Sequence, residues 1–347
     1  MFSWFKREKP TPCQVQFAGA GHSINLQRDD ILLAAALEQG VPYPHNCRVG
    51  TCGQCKTRVI SGQVKPMMDF ALSPLTAQEL RDGYVLACQS KVRSDLVISV
   101  PVERSERWRG QIIVAQRLPG GVLALTLELD RPLTFQAGQY ANLSMEGDSL
   151  ARSYSFCHEP IAGGNRQVSF LIRRIPGGAF SDGLWLRAEP GMRMTLSGPH
   201  GTMGSADVNA HALCIAGGTG LAPVVSIVRD RLNKSSRACF QVLLGIRRSE
   251  DHFAQEILQE LEADSAGRVQ TRVIVSDEPD GSPWVGDRGL VTDLLTPALL
   301  ASLQARAAFV CGAAPMVQAC RERLRLHGWN DDDIHTDSFV PSGGTSS

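Results

Sequence analysis

The chain has 347 residues, and its 35 Lys and Arg balance 35 Asp and Glu, giving a formal net charge of zero. That length corresponds to about two to three domains, and the charge balance removes the electrostatic case for nucleic acid or an anionic membrane as partner. No apolar run approaches the length of a membrane span, and the apolar stretch from Met1 to Phe5 is too short for a signal peptide. A cytoplasmic protein with no membrane insertion is therefore expected, with Trp4 and Phe5 docked on the protein's own surface. No internal repeat is visible, and a monomer is expected.

Residues 12–27 alternate polar and apolar around Gly19-Ala20-Gly21, which reads as a β-hairpin. Residues 31–39 read as a short helix stopped by Gly40. Then comes Asn46-Cys47-Arg48-Val49-Gly50-Thr51-Cys52-Gly53-Gln54-Cys55, with a fourth cysteine, Cys88, further on. C-x4-C-x2-C with a distant fourth Cys is the plant-type spacing for a [2Fe–2S] cluster. Three thiolates from one loop surround two irons only if the backbone curls tightly, and Gly50 and Gly53 permit that. The competing readings are zinc and plain burial. Zinc sites usually show two short ligand pairs, whereas here three ligands crowd one loop. His45 lacks the second histidine that a Rieske site needs and reads as a loop residue. A strand near 56–60, a short helix at 75–80 and a strand at 96–100 complete a small α+β module over 11–101. Residues 101–107 read as a polar connector. The other six of the ten cysteines, at 13, 157, 214, 239, 311 and 320, form no paired framework, consistent with a reducing compartment.

From 108 to 201 short β runs recur between Gly and Pro turns, at 110–115, 122–129, 139–144, 152–157, 167–173 and 192–197. Their even spacing predicts a closed antiparallel barrel over 108–205. From about 210 the rhythm becomes β then α. Strands are expected at 212–216, 240–245, 271–275 and 308–311. Helices are expected at 222–232, 254–263 and 315–327, and another opening over 289–295. This is an α/β parallel-sheet domain over 209–340.

The barrel carries Arg152-Ser153-Tyr154-Ser155, a glycine-rich turn at Ile175-Pro176-Gly177-Gly178-Ala179-Phe180-Ser181, and Gly198-Pro199-His200-Gly201. Such a turn before a helix presents backbone N–H groups to an anion. In this order the segments resemble the flavin domain of the ferredoxin–NADP reductase superfamily. The resemblance implies Arg152 on the flavin pyrophosphate, Tyr154 on the isoalloxazine face and Ser155 near the reactive flavin edge. It also implies Gly177, Gly178 and Ser181 in the phosphate-binding turn. Ile215-Ala216-Gly217-Gly218-Thr219-Gly220-Leu221-Ala222-Pro223 follows a strand and opens a helix, the setting of a nucleotide-phosphate turn. Pro223 stands where the generic fingerprint has its third Gly, but the segment resembles the pyridine-nucleotide turn of the same superfamily. Val310-Cys311-Gly312 resembles the second landmark, which implies Cys311 beside the nicotinamide. Phe339, in His335-Thr336-Asp337-Ser338-Phe339, resembles the terminal aromatic that covers the flavin ring.

An NADP 2′-phosphate needs Arg or Lys near the adenosine ribose, whereas NAD prefers a carboxylate. Asp277-Glu278 follow the 271–275 strand, while Arg247-Arg248 follow the preceding one. The acids favour NADH and the arginines pull the other way; NADH is expected.

The whole layout, a β-grasp ferredoxin, then a flavin barrel, then a nucleotide domain, resembles the reductase components of bacterial multicomponent oxygenases, similar to benzoate dioxygenase reductase. It implies FAD in the barrel and electron flow from NADH to FAD to [2Fe–2S] to an iron-containing oxygenase component. That component is expected to dock near the cysteine loop, around Arg48 and Val49. Ser155 and Cys311 would position and polarise during hydride transfer. The alternatives are the same chain serving a deoxysugar dehydratase, a cytochrome or a quinone, and a redox-sensing module without turnover.

Overall fold

The computed structural model describes residues 12–19, 23–41, 43–45, 50, 53, 55–68, 75–100, 106–148, 150–205, 211–303 and 305–339. They fall into two compact bodies, divided between residues 100 and 106.

In the first body, β1 (Cys13–Phe17) and β2 (Ser23–Leu26) form the expected hairpin, with Val15 opposite Ile24. Cys13, Val15 and Phe17 face the core while Gln14 and Gln16 face solvent, the two-residue period of a half-buried strand. Helix α1 (Leu32–Glu38) buries Leu32, Leu33, Ala35 and Ala36 and ends before Gly40, which takes the left-handed conformation at φ 77°. Then come β3 (Lys56–Ser61), β4 (Val64–Pro66), α2 (Ala77–Arg81), β5 (Tyr84–Leu86), β6 (Ser90–Val92) and β7 (Leu96–Ser99). The main sheet runs β2-β1-β7-β3-β5, and β4 pairs with β6 as a separate ribbon. Helix α2 starts later than the sequence suggests because Thr76 is its cap. The Thr76 hydroxyl accepts the Glu79 N–H, and the Glu79 carboxylate accepts the Thr76 N–H. Strands β4, β5 and β6 are three residues long, too short for a periodic signal.

The second body opens with β8 (Glu106–Leu118), β9 (Val122–Leu133), β10 (Tyr140–Met145), β11 (Ala151–Ser155), β12 (Asn165–Arg173), helix α3 (Ser181–Arg187) and β13 (Arg193–His200). The strands form one antiparallel sheet in the order β11-β10-β13-β8-β9-β12. The barrel closes only along a short seam, where Phe156 bridges Phe170 and the Cys157 N–H donates to the Ser169 carbonyl at 3.0 Å. Glu106 and Arg107, expected in the connector, already pair with Gly198 and Ser197 of β13. Residues 101–105 lie outside the described residues, as do Trp4 and Phe5.

The rest of this body is β14 (His211–Gly217), α4 (Leu221–Lys234), β15 (Cys239–Ile246), α5 (Gln255–Asp264), β16 (Val269–Val275), β17 (Asp287–Arg288), α6 (Pro297–Ser302), β18 (Ala305–Ala313), α7 (Ala314–Leu326) and β19 (Ile334–Phe339). The sheet is parallel, in the order β17-β16-β15-β14-β18-β19. One expectation fails here. Residues 289–295 do not open a helix: Val291–Leu294 is a single 3₁₀ turn, held by Asp293 accepting the Leu290 N–H. The helix begins at Pro297, capped by Thr296, because proline suits the first helical position and ends any continuous run from 289. Barrel and parallel sheet are joined directly. The Ser226 hydroxyl of α4 donates to the His158 carbonyl at 2.6 Å, and Arg231 donates to the Gly204 carbonyl at 3.1 Å.

Phe156 is the keystone of the barrel seam. It is fully buried and stacks on Phe135 at 4.1 Å and beside Phe170 at 5.3 Å. Phe156→Ala should lower unfolding free energy by about 3–5 kcal/mol, read as a reduced denaturant midpoint, while a Leu replacement should lose much less.

Candidate redox and nucleotide sites

Cys55 ends the cysteine loop at the mouth of β3, and Cys88 lies in the 3₁₀ turn Ala87–Gln89 between β5 and β6. Both thiols are buried, and the fold brings them together: the Cys88 N–H donates to the Cys55 sulfur at 3.5 Å, and the Ala87 N–H to the Cys55 carbonyl at 3.1 Å. Beneath them the Tyr43 and Thr57 hydroxyls bond each other, and Thr57 donates to the Cys55 carbonyl at 3.1 Å. Burial raises the Tyr43 phenol far above its usual range, so it stays protonated. Gly50 has φ 92°, and a Cβ there would meet the Met68 sulfur at 2.6 Å and Gln89 Cγ at 2.8 Å. Two adjacent buried thiols, an amide aimed at sulfur and a loop glycine that admits no side chain fit an iron–sulfur cluster. Cys47 and Cys52 lie outside the described residues, as do Arg48 and Val49. His45 Nδ1 sits 2.8 Å from the Tyr43 carbonyl, in keeping with a loop residue.

In the barrel, β11 sets out Arg152, Tyr154 and Ser155. Tyr154 is tilted against Phe180 of the glycine-rich turn, ring centroids 5.8 Å apart, and burial pushes its phenol well above the usual range. Arg152 donates to the Ala151 carbonyl at 2.8 Å. The turn is tied internally. Asp182 accepts the Gly177 N–H at 2.8 Å and pairs with Arg174 at 2.7 Å, Ile175 accepts the Gly178 N–H, and the Ser181 hydroxyl accepts the Ile175 N–H. The N–H groups of Gly177 and Gly178, expected to face an anion, are thus already taken. Those of Ala179, Phe180 and Ser181 carry no bond among the described residues. A turn with free amides beside a buried tyrosine and an arginine fits a flavin carrying a pyrophosphate.

The nucleotide turn lies between β14 and α4, with Gly218–Gly220 as a 3₁₀ turn and Pro223 buried in the first turn of α4. Here glycine is forced by close approach. A Cβ on Gly220 would come 2.3 Å from the Cys311 carbonyl, and one on Gly312 3.1 Å from the Gly217 backbone. Gly218, at φ 53°, faces open space, and Thr219 is half-buried beside it. A glycine with clear space before it, at the start of a helix, fits a dinucleotide phosphate.

Cys311 is fully buried at the end of β18, level with Ala216 of β14 and Asp337 of β19. Burial, and then the Asp337 charge, raise its thiol well above the usual range, so it is a neutral thiol and not a nucleophile. Ser155 donates to Asp337 Oδ2 at 3.5 Å, across the join between barrel and sheet. Burial raises the Asp337 carboxyl to about 6, against the opposing pull of the Ser155 hydrogen bond. The two residues expected to act in hydride transfer, Ser155 and Cys311, therefore share a neighbour that sequence reasoning passed over. Its signal was present: Asp337 and Phe339 alternate on one strand. Phe339 pairs with Ala313, partly buried against the core of the parallel sheet.

Asp277 does not stand free. Its Oδ2 accepts from Arg248, at 3.2 Å, and from Arg247, at 3.0 Å, and these two bonds lower its carboxyl below the usual range. Glu278 accepts the Ser249 hydroxyl and N–H, each at 2.6 Å; bonds from Ser249 and then Ser282 lower its carboxyl to about 2.

Three family models match in sequence order: a 2Fe-2S iron–sulfur cluster binding domain over residues 15–93, an oxidoreductase FAD-binding domain over 111–204 and an oxidoreductase NAD-binding domain over 214–322. The chain is 32% identical to the xylene/toluene monooxygenase electron transfer component of Pseudomonas putida, over 95% of this chain and 94% of that one. It is also 32% identical to the ferredoxin–NAD(P)+ reductase component of the naphthalene 1,2-dioxygenase/salicylate 5-hydroxylase systems of a Ralstonia species, over 92% and 96%. Among solved structures it resembles a ferredoxin reductase in carbazole 1,9a-dioxygenase, with TM-score 0.67 and 27% identity over 96% of this chain and all of that one. An Amycolatopsis cytochrome P450 reductase gives TM-score 0.65 and 28% identity over 95% of this chain and all of that one. No helix among the described residues is long and apolar enough to cross a membrane. With the motifs, the domain order and the near-full-length likeness in agreement, the chain belongs to the family of iron–sulfur flavoprotein reductases that join [2Fe–2S], FAD-binding and NAD-binding domains as electron transfer components.

Proposed function

We propose that this reductase takes electrons from NADH and delivers them singly to an iron-containing oxygenase component; its relatives are an electron transfer component of a monooxygenase and a ferredoxin–NAD(P)+ reductase component of dioxygenase and hydroxylase systems. Bound FAD and [2Fe–2S] supply the chemistry: the flavin exchanges two electrons with a nicotinamide and one with a cluster. The protein binds, orients and tunes. Cys47, Cys52, Cys55 and Cys88 hold the cluster. Arg152 and the turn that Gly177 and Gly178 shape, through its amides at Ala179, Phe180 and Ser181, hold the flavin pyrophosphate, with Tyr154 and Phe339 against its ring. Gly217, Gly218, Thr219, Gly220 and Pro223 hold the dinucleotide phosphates, and Gly312 lets the two turns meet. Ser155 and Cys311 set the nicotinamide against the flavin edge. The single observation that carries this reading is the contact of Ser155 with Asp337, level with Cys311, which unites the flavin and nucleotide motifs in one site.

The choice of NADH rests on the charges at Asp277. Arg247 and Arg248 are the cations that would attract a 2′-phosphate, and Asp277 binds both. Glu278 occupies the Ser249 donors on the same side. A phosphate arriving there meets compensated arginines and blocked donors, whereas a ribose 2′-OH meets a carboxylate.

The reading is tested by affinity capture from the native host, followed by iron analysis, identification of the bound protein and reconstitution with NADH. A non-haem iron oxygenase that turns over only with this reductase supports it; turnover with a different redox partner overturns the destination. Cys88→Ser should abolish or alter the cluster spectrum while NADH still bleaches the flavin. Asp277→Arg should raise kcat/KM for NADPH relative to NADH by at least tenfold; no change in that ratio removes Asp277 from the ribose site.

Asp337 generates a pH prediction. Its folded pKa, about 6, lies above the unfolded value of 3.8, so the folded state holds this proton more tightly. The stability it contributes is complete below pH 3.8 and is lost as pH rises through about 6. Asp337→Asn cannot ionise, so its melting temperature relative to wild type should rise between pH 4.5 and pH 7.

A further inference from the structure

The ribbon of β4 and β6 presents an arrangement that folding alone disfavours. Its register pairs Val64 with Val92, Lys65 with Lys91 and Pro66 with Ser90. Val92 and Ser90 are buried, so the Lys65–Lys91 pair stands on the outer face, directly opposed. Like charges in that position repel. Asp29 is paired with Arg93 at 2.8 Å, while Asp30 and Asp95 accept the backbone N–H groups of Gln27 and Gln14 at 2.7 and 2.8 Å and form no ion pair with either lysine. Among the described residues neither lysine has an ion-pair partner.

The ribbon is continuous with the cluster site. The Met67 N–H donates to the Gln89 carbonyl at 2.9 Å, and Gln89 follows Cys88. Gln89 and Met68 lie against Gly50 of the cysteine loop, at the distances that leave Gly50 no room for a side chain. Met67, next to Lys65 in the chain after Pro66, is an apolar side chain left 42% exposed. A methionine flanked by two lysines that have no ion-pair partner among the described residues, next to Cys88 in the fold, has the make-up of a docking patch, with an apolar anchor and a charged rim.

We propose that this ribbon is the docking face for the electron acceptor, and that Lys65 and Lys91 receive an acidic patch on the acceptor protein. The inference rests on the proposed exit of electrons through the cluster. It differs from a purely protective role, in which lysines on short exposed strands discourage edge-to-edge association. Glutamates would protect the edge as well as lysines do but would repel an acidic partner.

The test uses the full-length holoprotein under anaerobic conditions. Two probes share one haem and differ in charge: native cytochrome c, which is basic, and succinylated cytochrome c, which is acidic. Wild type should reduce the succinylated form with a kcat/KM that falls as salt rises. The double variant Lys65→Glu/Lys91→Glu should lose at least tenfold on the succinylated probe and gain on the native one. Its NADH–ferricyanide rate and cluster spectrum should stay unchanged. If the double variant treats the two probes as wild type does while NADH still reduces its cluster, the docking face is wrong and the electron chain stands. If Cys88→Ser reduces both probes as fast as wild type, electrons do not leave through the cluster, and the proposed electron path falls together with this inference.

Discussion

Three parallel strands end in step, and the chemistry of the second body depends on that register. Ala216 of β14 lies level with Cys311 of β18, which lies level with Asp337 of β19. β14 is the strand from which the chain winds outward to β15 on one side, while β18 flanks it on the other. Loops leaving β14 and β18 therefore diverge and open a crevice at their carboxyl ends, the point where ligands bind in open α/β sheets. The cost of that geometry falls on backbone clearance. The two turns pass so closely that a Cβ on Gly220 would come 2.3 Å from the Cys311 carbonyl, and one on Gly312 would press on the Gly217 backbone at 3.1 Å. Any residue with a Cβ there would push β14 and β18 out of step, and Cys311 would no longer sit beside Asp337.

The same register explains how two sub-structures make one site. Ser155 comes from the barrel and Asp337 from the last strand of the parallel sheet, 182 residues later in sequence, yet they meet. The join is made rigid further back, where Ser226 and Arg231 of α4 bond barrel carbonyls. A carboxyl closed in by this junction favours its neutral form. A carboxyl raised to about 6, a hydroxyl and a neutral thiol meet at this junction, so its charge changes with pH.

Much of this was legible in the residues. The Gly217–Pro223 and Cys311–Gly312 segments stand at strand-to-helix turns as their chemistry needs, and apolar runs such as Leu213–Cys214–Ile215 and the alternation of β1 carry a clear period. What was missed has physical reasons. The ribbon strands are too short to show a period. The 3₁₀ turn at Val291–Leu294 has helical composition but is cut by Pro297. The amides of Gly177 and Gly178 look free in sequence, but Asp182 and Ile175 fold back onto them. Asp337 was passed over despite its alternation with Phe339, since the serine that reaches it comes from the barrel, 182 residues away in sequence.

Charge is handled differently in the two bodies. Near the nucleotide site the arginines are held by acids two strands' ends apart: Asp277 follows β16 and Arg247 and Arg248 follow β15, and parallel pairing of those strands puts the ends side by side. Those exposed pairs contribute little to stability, so their consequence is the field a ligand meets on arrival. In the cluster body the opposite holds. Asp29 is held by Arg93, and the opposed Lys65 and Lys91 of β4 and β6 have no ion-pair partner among the described residues. A chain with zero net charge thus carries paired arginines after β15 and, among the described residues, opposed lysines without an ion-pair partner on β4 and β6. Net charge alone conceals that difference; the pairing of β4 with β6, and of β15 with β16, creates it.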